Sequence, residues 1–106
     1  MADNVPDAEV LALQLAAIAS VQRMRIISEL GDEPLHVSEL ARRVEMSRPL
    51  LYMHLRKLEE AGFVAGHLEL GPDGKAMNIF EVSPFAITIT PDVIAAAINI
   101  TTEGKD

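Results

Sequence analysis

The tightest constraint in this sequence lies between residues 38 and 61, where two stretches of helical periodicity follow one another with almost no chain between them. In the first, Ser38 opens a helix whose apolar face is Leu40, Ala41 and Val44. Glu39 sits in its first turn and Arg42 and Arg43 toward its end, as the helix dipole favours. Glu45 and Met46 break the pattern. Ser47 then caps a second helix over residues 48–61, and Pro49 is tolerated because it falls in the first turn. Leu51, Leu55 and Leu58 recur at i, i+4 and i+7, which makes one inward stripe, and Gly62 ends the helix. Two helices joined this closely form a helix-turn-helix candidate.

The flanks extend the motif. Two apolar runs, 63–70 and 77–82, are joined by Gly71-Pro72-Asp73-Gly74-Lys75, which reads as a hairpin turn. A hairpin directly after a helix-turn-helix makes a winged helix, so the fold class is mainly α with a small β wing. Upstream, Ser20 caps a helix over 20–30 with Val21, Met24, Ile27 and Leu30 at helical spacing, and Gly31 is expected to end it. A turn at 31–34 leads to a short extended piece, 35–37. Length suits a single domain over residues 1–106.

The outermost helices differ from these. Residues 7–20 carry Val10, Leu11, Leu13, Leu15 and Ile18, and residues 91–100 carry Val93, Ile94, Ala97 and Ile98; neither has a polar face. Such helices must be covered on both sides. Either a second subunit meets them, or they run through the middle of the monomer.

Composition excludes several chemistries. The absence of cysteine removes disulfides, thiol nucleophiles and thiolate metal sites. No Gly-rich phosphate loop, paired carboxylates or Ser–His–Asp arrangement can be assembled, so no enzyme is expected. No cofactor is implied. The acidic N-terminus does not resemble an export signal, and the apolar run 10–19 is far shorter than the ~20 residues of a membrane span, so the expected location is cytoplasmic.

Net charge is −7, which on its own disfavours nucleic acid. Its distribution reverses the inference locally: Arg42, Arg43, Arg48, Arg56 and Lys57 cluster with Glu45 as the one acid among them, while the remaining acids collect elsewhere. A helix fits the major groove of duplex DNA and its first turns reach base edges. The leucine stripe leaves Ser47, Arg48, Pro49 and Tyr52 facing out, with Met53 and Arg56 beside them. Arg48 is a candidate base reader; Arg42, Arg43, Arg56 and Lys57 are candidate phosphate contacts or solvated charges. Tyr52 either meets DNA or packs under the wing, and His54 either donates to a phosphate or makes a packing contact. Arg23 and Arg25 are divided between phosphate and intramolecular pairing.

The stretch from Arg23 to Ser83 resembles the winged helix-turn-helix of the arsenic-repressor (ArsR) family. The resemblance rests on Arg23 to Leu30, the Ser-Glu-Leu-Ala of residues 38–41, His54-Leu55-Arg56-Lys57-Leu58 with Gly62, and Phe63-Val64 before the wing. It implies a homodimer built on the first and last helices. It also implies DNA contacts from Ser47, Arg48, Tyr52, His54 and Arg56, with Lys75 at the wing tip. The family usually has a small residue where this chain has Tyr52, and this wing carries Glu69 and Asp73 beside Lys75. Many members sense metals, but the last helix offers only Asp92 and Asn99, and His36, His54 and His67 fall on different elements. The reading is therefore a DNA-binding repressor acting as a homodimer on an inverted repeat, regulated by an unknown effector or partner protein. The rival is an adaptor module that pairs with another regulator and does not itself bind DNA.

Overall fold

The structure, a computed structural model, describes residues 6–103; the first five residues, where most of the acidic N-terminus lies, and the last three are outside it. In chain order the elements are α1 (Ala8–Ile18), α2 (Val21–Asp32), β1 (Leu35–His36), α3 (Val37–Val44), α4 (Arg48–Glu60), β2 (Val64–Leu70), β3 (Ala76–Val82) and α5 (Pro91–Glu103). Among the described residues no single helix is long and apolar enough to cross a membrane. The contacts divide the chain into two units. One holds residues 17–84; the other joins the chain up to residue 16 with the chain from 85 onward.

The 17–84 unit is the winged helix. Its core is Ile26 and Leu30 of α2, Leu40 and Val44 of α3, and Leu51, Leu55 and Leu58 of α4, closed by Phe63 and Phe80. Every leucine of the expected α4 stripe is buried. Ser47 caps α4 by accepting from Leu50 N, and Ser20 caps α2 by accepting from Arg23 N. Between α3 and α4 the chain reverses at Glu45, which adopts the left-handed conformation at φ 57°, and Met46 N bonds back to Ala41 O.

The wing is more than a hairpin. β2 and β3 pair antiparallel from Val64 opposite Val82 to Leu70 opposite Ala76, and β1 adds a third strand on the far side of β3, with Leu35 opposite Phe80. Gly66 is required here: a Cβ at that position would stand 2.6 Å from Phe80 Cε1. The β1 pairing also moves the start of α3. Ser38 was expected to open the helix, but α3 starts at Val37, and His36, held extended by its pairing with Ile79, caps it through Nδ1, which accepts from Glu39 N. Gly31 does not end α2, which continues to Asp32 with Glu33 as its C-cap.

In the other unit, Asp7 Oδ1 accepts from Val10 N at the start of α1, and Thr90 Oγ1 accepts from Val93 N at the start of α5. α5 runs a turn beyond the expected end at residue 100. Thr101 supplies the reason: its hydroxyl donates to Ala97 O at 3.0 Å and accepts from Ala8 N at 2.7 Å, which ties the last turn to α1. Of the expected interface residues, Leu11 and Ala97 are already buried in the single chain and do not present themselves to a partner. Val10, Leu13, Leu15, Ile94 and Ile98 are exposed; Ile18 and Val93 are half-buried.

Candidate nucleic-acid interface

The interface builds outward from the inner face of α4. Burying Leu51, His54, Leu55 and Leu58 turns the opposite side to solvent, and on a helix of 3.6 residues per turn that side is centred on Pro49, Met53 and Arg56. Arg48 and Tyr52 flank it on one edge and Leu50 and Lys57 on the other. Pro49 and Met53 are exposed, as are Arg48, Arg56 and Lys57, and among the described residues none of these cations pairs with a carboxylate. The acids of α4, Glu59 and Glu60, stand in its last turn, away from the entering tip.

The α3 arginines behave otherwise. Arg43 reaches Glu39 at 2.8 Å and Glu29 and Glu33 at 3.5 Å each, which ties α3 to α2. Arg42 pairs with the same Glu39. Hydrogen bonds from Arg42 and then Arg43 hold the Glu39 carboxyl down at about 2, and Glu39 in turn raises both guanidiniums. Arg42 and Arg43, expected as phosphate contacts or solvated charges, are thus both ion-paired in the free chain: Arg43 with three carboxylates, and Arg42 with Glu39 while it stays exposed.

His54, expected either to donate to a phosphate or to make a packing contact, faces inward. It is 7% exposed, its Nδ1 accepts from Arg23 Nε at 3.1 Å, and Arg23 Nη1 donates to Ala17 O at 3.2 Å. Burial first, and the Arg23 charge second, push the imidazole below its ordinary range. The neutral ring therefore carries its proton on Nε2 and pins α2 to α4 rather than meeting a phosphate. Of the two readings of His54, packing is the one the geometry supports, and Arg23 is intramolecular.

Tyr52 is half-buried against the wing. Asn78 Nδ2 donates to its hydroxyl at 2.7 Å, and its ring meets Phe80 edge-on with centroids 6.5 Å apart. That bond leaves the phenolic proton free to be donated outward. Tyr52 and Arg48 line an open cleft of about 240 Å³ with His36, Ser38, Asn78 and Met77. His36 Nδ1 is occupied as the α3 cap, so its neutral form offers an Nε2–H donor. Four donors of the cleft (His36, Ser38, Arg48 and Tyr52) are thus gathered where α3, α4 and the wing meet.

Ser47, an expected contact, has its hydroxyl engaged as the cap. Lys75 is exposed in the wing turn, where its N donates to Asp73 Oδ1 at 3.0 Å. Also on the wing, His67 Nε2 and Glu69 Oε2 are 2.6 Å apart. Sequence reasoning missed His36, Ser38 and Asn78. Asn78 left a signal as one of two polar residues, with Glu81, inside the apolar run 77–82; the other two became visible only once β1 placed them. Among the described residues no His, Asp and Glu group is arranged to hold a metal.

Fold and site together define a winged helix-turn-helix transcriptional regulator. The profile of the bacterial regulatory protein arsR family matches residues 20–65. An HTH-type transcriptional regulator of Methanocaldococcus jannaschii, itself uncharacterized, is 36% identical over 78 residues, spanning 74% of this chain and 81% of that one. Among solved structures, reduced HlyU from Vibrio cholerae is 27% identical with a TM-score of 0.61, over 85% of this chain and 83% of that chain. A homodimeric winged helix-turn-helix DNA-binding domain from Mycobacterium bovis shares the fold, with a TM-score of 0.63 at 18% identity over 92% of this chain and 80% of that one. The chain belongs to the ArsR family of transcriptional regulators.

Proposed function

We propose that this regulator binds duplex DNA in the cytoplasm as a homodimer, each α4 entering a major groove of an inverted repeat, and that it represses transcription by occupying that site. One observation carries the reading: the outward side of α4 carries Arg48, Arg56 and Lys57, none of which pairs with a carboxylate among the described residues, on a chain whose net charge is −7. On an acidic body, such a patch survives as a footprint for phosphate. Arg48 reads a base edge, Arg56 and Lys57 neutralise phosphates, and the cleft of His36, Ser38, Arg48 and Tyr52 receives a backbone phosphate beside the groove. The wing contributes through Asn78, which holds Tyr52 of α4, rather than through its tip, where Asp73 stands beside Lys75. Second-copy binding is supported by Val10, Leu13, Ile94 and Ile98, apolar and exposed on α1 and α5, and by the homodimeric state given for the Mycobacterium bovis neighbour.

The test is selection of bound fragments from random duplex at low salt, with sedimentation of the free protein. The expected result is a palindromic motif with half-sites about one helical turn apart or a multiple of it, bound by a dimer. Failure to retain any duplex at low salt would overturn the reading and leave the adaptor module, which no observation on this chain favours at present.

A further inference from the structure

The exposed face of α4 is not what a merely solvated helix would show. Leu50 is 38% and Met53 53% exposed, and Pro49 stands beside them, so the outer side of the first two turns is largely apolar. A helix with a buried inner stripe needs no apolar residue outside. Leu50 and Met53 are three apart and therefore neighbours on the surface. Arg48, Arg56 and Lys57 frame them, which fits an anionic partner and opposes a purely apolar one. In the major groove the apolar feature on the base edges is the thymine C5-methyl group.

We propose that Leu50 and Met53 read thymine methyl groups in each half-site. The proposal rests on the DNA-binding reading and names the base it selects. Three residues of helix advance about 4.5 Å, close to the ~3.4 Å step between base pairs, so the two side chains meet adjacent steps. The unbranched thioether of Met53 can adapt to a methyl whose position varies with local twist. The guanidinium of Arg48, one turn nearer the tip, takes a guanine beside them. The half-site is thus a guanine next to one or two thymines.

The experiment replaces each thymine of a selected duplex, one at a time, by deoxyuridine, which removes the methyl and leaves every hydrogen-bonding group. Binding of the full chain is expected to weaken about fourfold at one or two adjacent positions per half-site, the transfer value of one methyl-sized group. L50A or M53A should then bind the thymine and uracil forms of its own position equally, while V21A, an equally apolar exposed change on α2, keeps the wild-type ratio. Both tested side chains lie on the surface, so folding is retained and checked by circular dichroism. No effect of uracil at any position, a selected half-site without thymine, or a thymine preference that persists in both α4 variants would overturn the proposal while leaving DNA binding intact. A chain that retains no duplex at low salt overturns both.

Discussion

α3 and α4 carry similar positive charge in sequence and present very different charge in space. α3 holds Arg42 and Arg43, α4 holds Arg48, Arg56 and Lys57. On α3 a single carboxylate, Glu39, sits three and four residues before the arginines and takes both, and Glu29 and Glu33 across on α2 and its C-cap complete the neutralisation. Around α4, Glu45 stands three residues before Arg48, and Glu59 and Glu60 three and four after Arg56, yet among the described residues none of them closes an ion pair with an α4 cation. The lesson is that a cation count locates a footprint only after each cation's partners are known. α3 spends its charge on holding the helix pair together; α4 keeps its charge for a ligand.

Substitutions can break that contrast. The largest expected effect is R48A, which should cost about 1–3 kcal/mol of binding to the selected duplex and flatten discrimination at one base position, measured by titration against a panel of mutated sites. E39Q should act in the opposite direction. Releasing Arg42, with Arg43 still held by Glu29 and Glu33, is expected to tighten binding to all duplexes and steepen the salt dependence by up to about 0.9 where Arg42 finds a phosphate, while lowering the melting temperature. If E39Q leaves salt dependence unchanged, Arg42 lies away from the DNA backbone and its charge serves α3 alone.

Acid should separate the two helices as well. The His54 imidazole is depressed below its ordinary 6.5, so its contribution is complete above that pH and is lost as pH falls from 6.5 toward the folded-state value. Glu39 is depressed from 4.5 to about 2, so the α3 network persists above 4.5 and fails only between 4.5 and about 2. Urea unfolding at successive pH values should therefore show two declines. H54Q, which keeps an acceptor for Arg23 but does not titrate, should remove the upper one alone. The smallest effect belongs to the wing tip: K75A should change duplex affinity less than twofold in the same titration, because Asp73 and Glu69 share its surroundings on the wing.

What could be read from sequence follows the range of the interactions. The α4 stripe, its Ser47 cap and its first-turn proline are local, and all stand as the spacing implied. The Glu39 pairs are local too: the i+3 and i+4 spacing to Arg42 and Arg43 is the signal that the basic cluster was partly self-neutralised. The choice between the two readings of His54 was not legible, because its partner Arg23 lies 31 residues away and only the packing of α2 on α4 brings them together. The cleft was hidden for the same reason: Asn78 reaches Tyr52 across 26 residues, and β1, two residues long, is too short to announce the pairing that places His36. Propensity also misled at Gly31, where helix continuation to Asp32 overrode the usual stop signal.

The salt dependence of duplex binding tests the central claim most directly. For wild type, R56A and R43A, log K is measured against log salt on one selected duplex. Removing a phosphate-neutralising cation of α4 should lower the slope by about 1, whereas removing Arg43 should leave the slope in place and reduce thermal stability instead. A slope that falls with R43A and holds with R56A would contradict the account, because the charge that meets DNA would then be on α3.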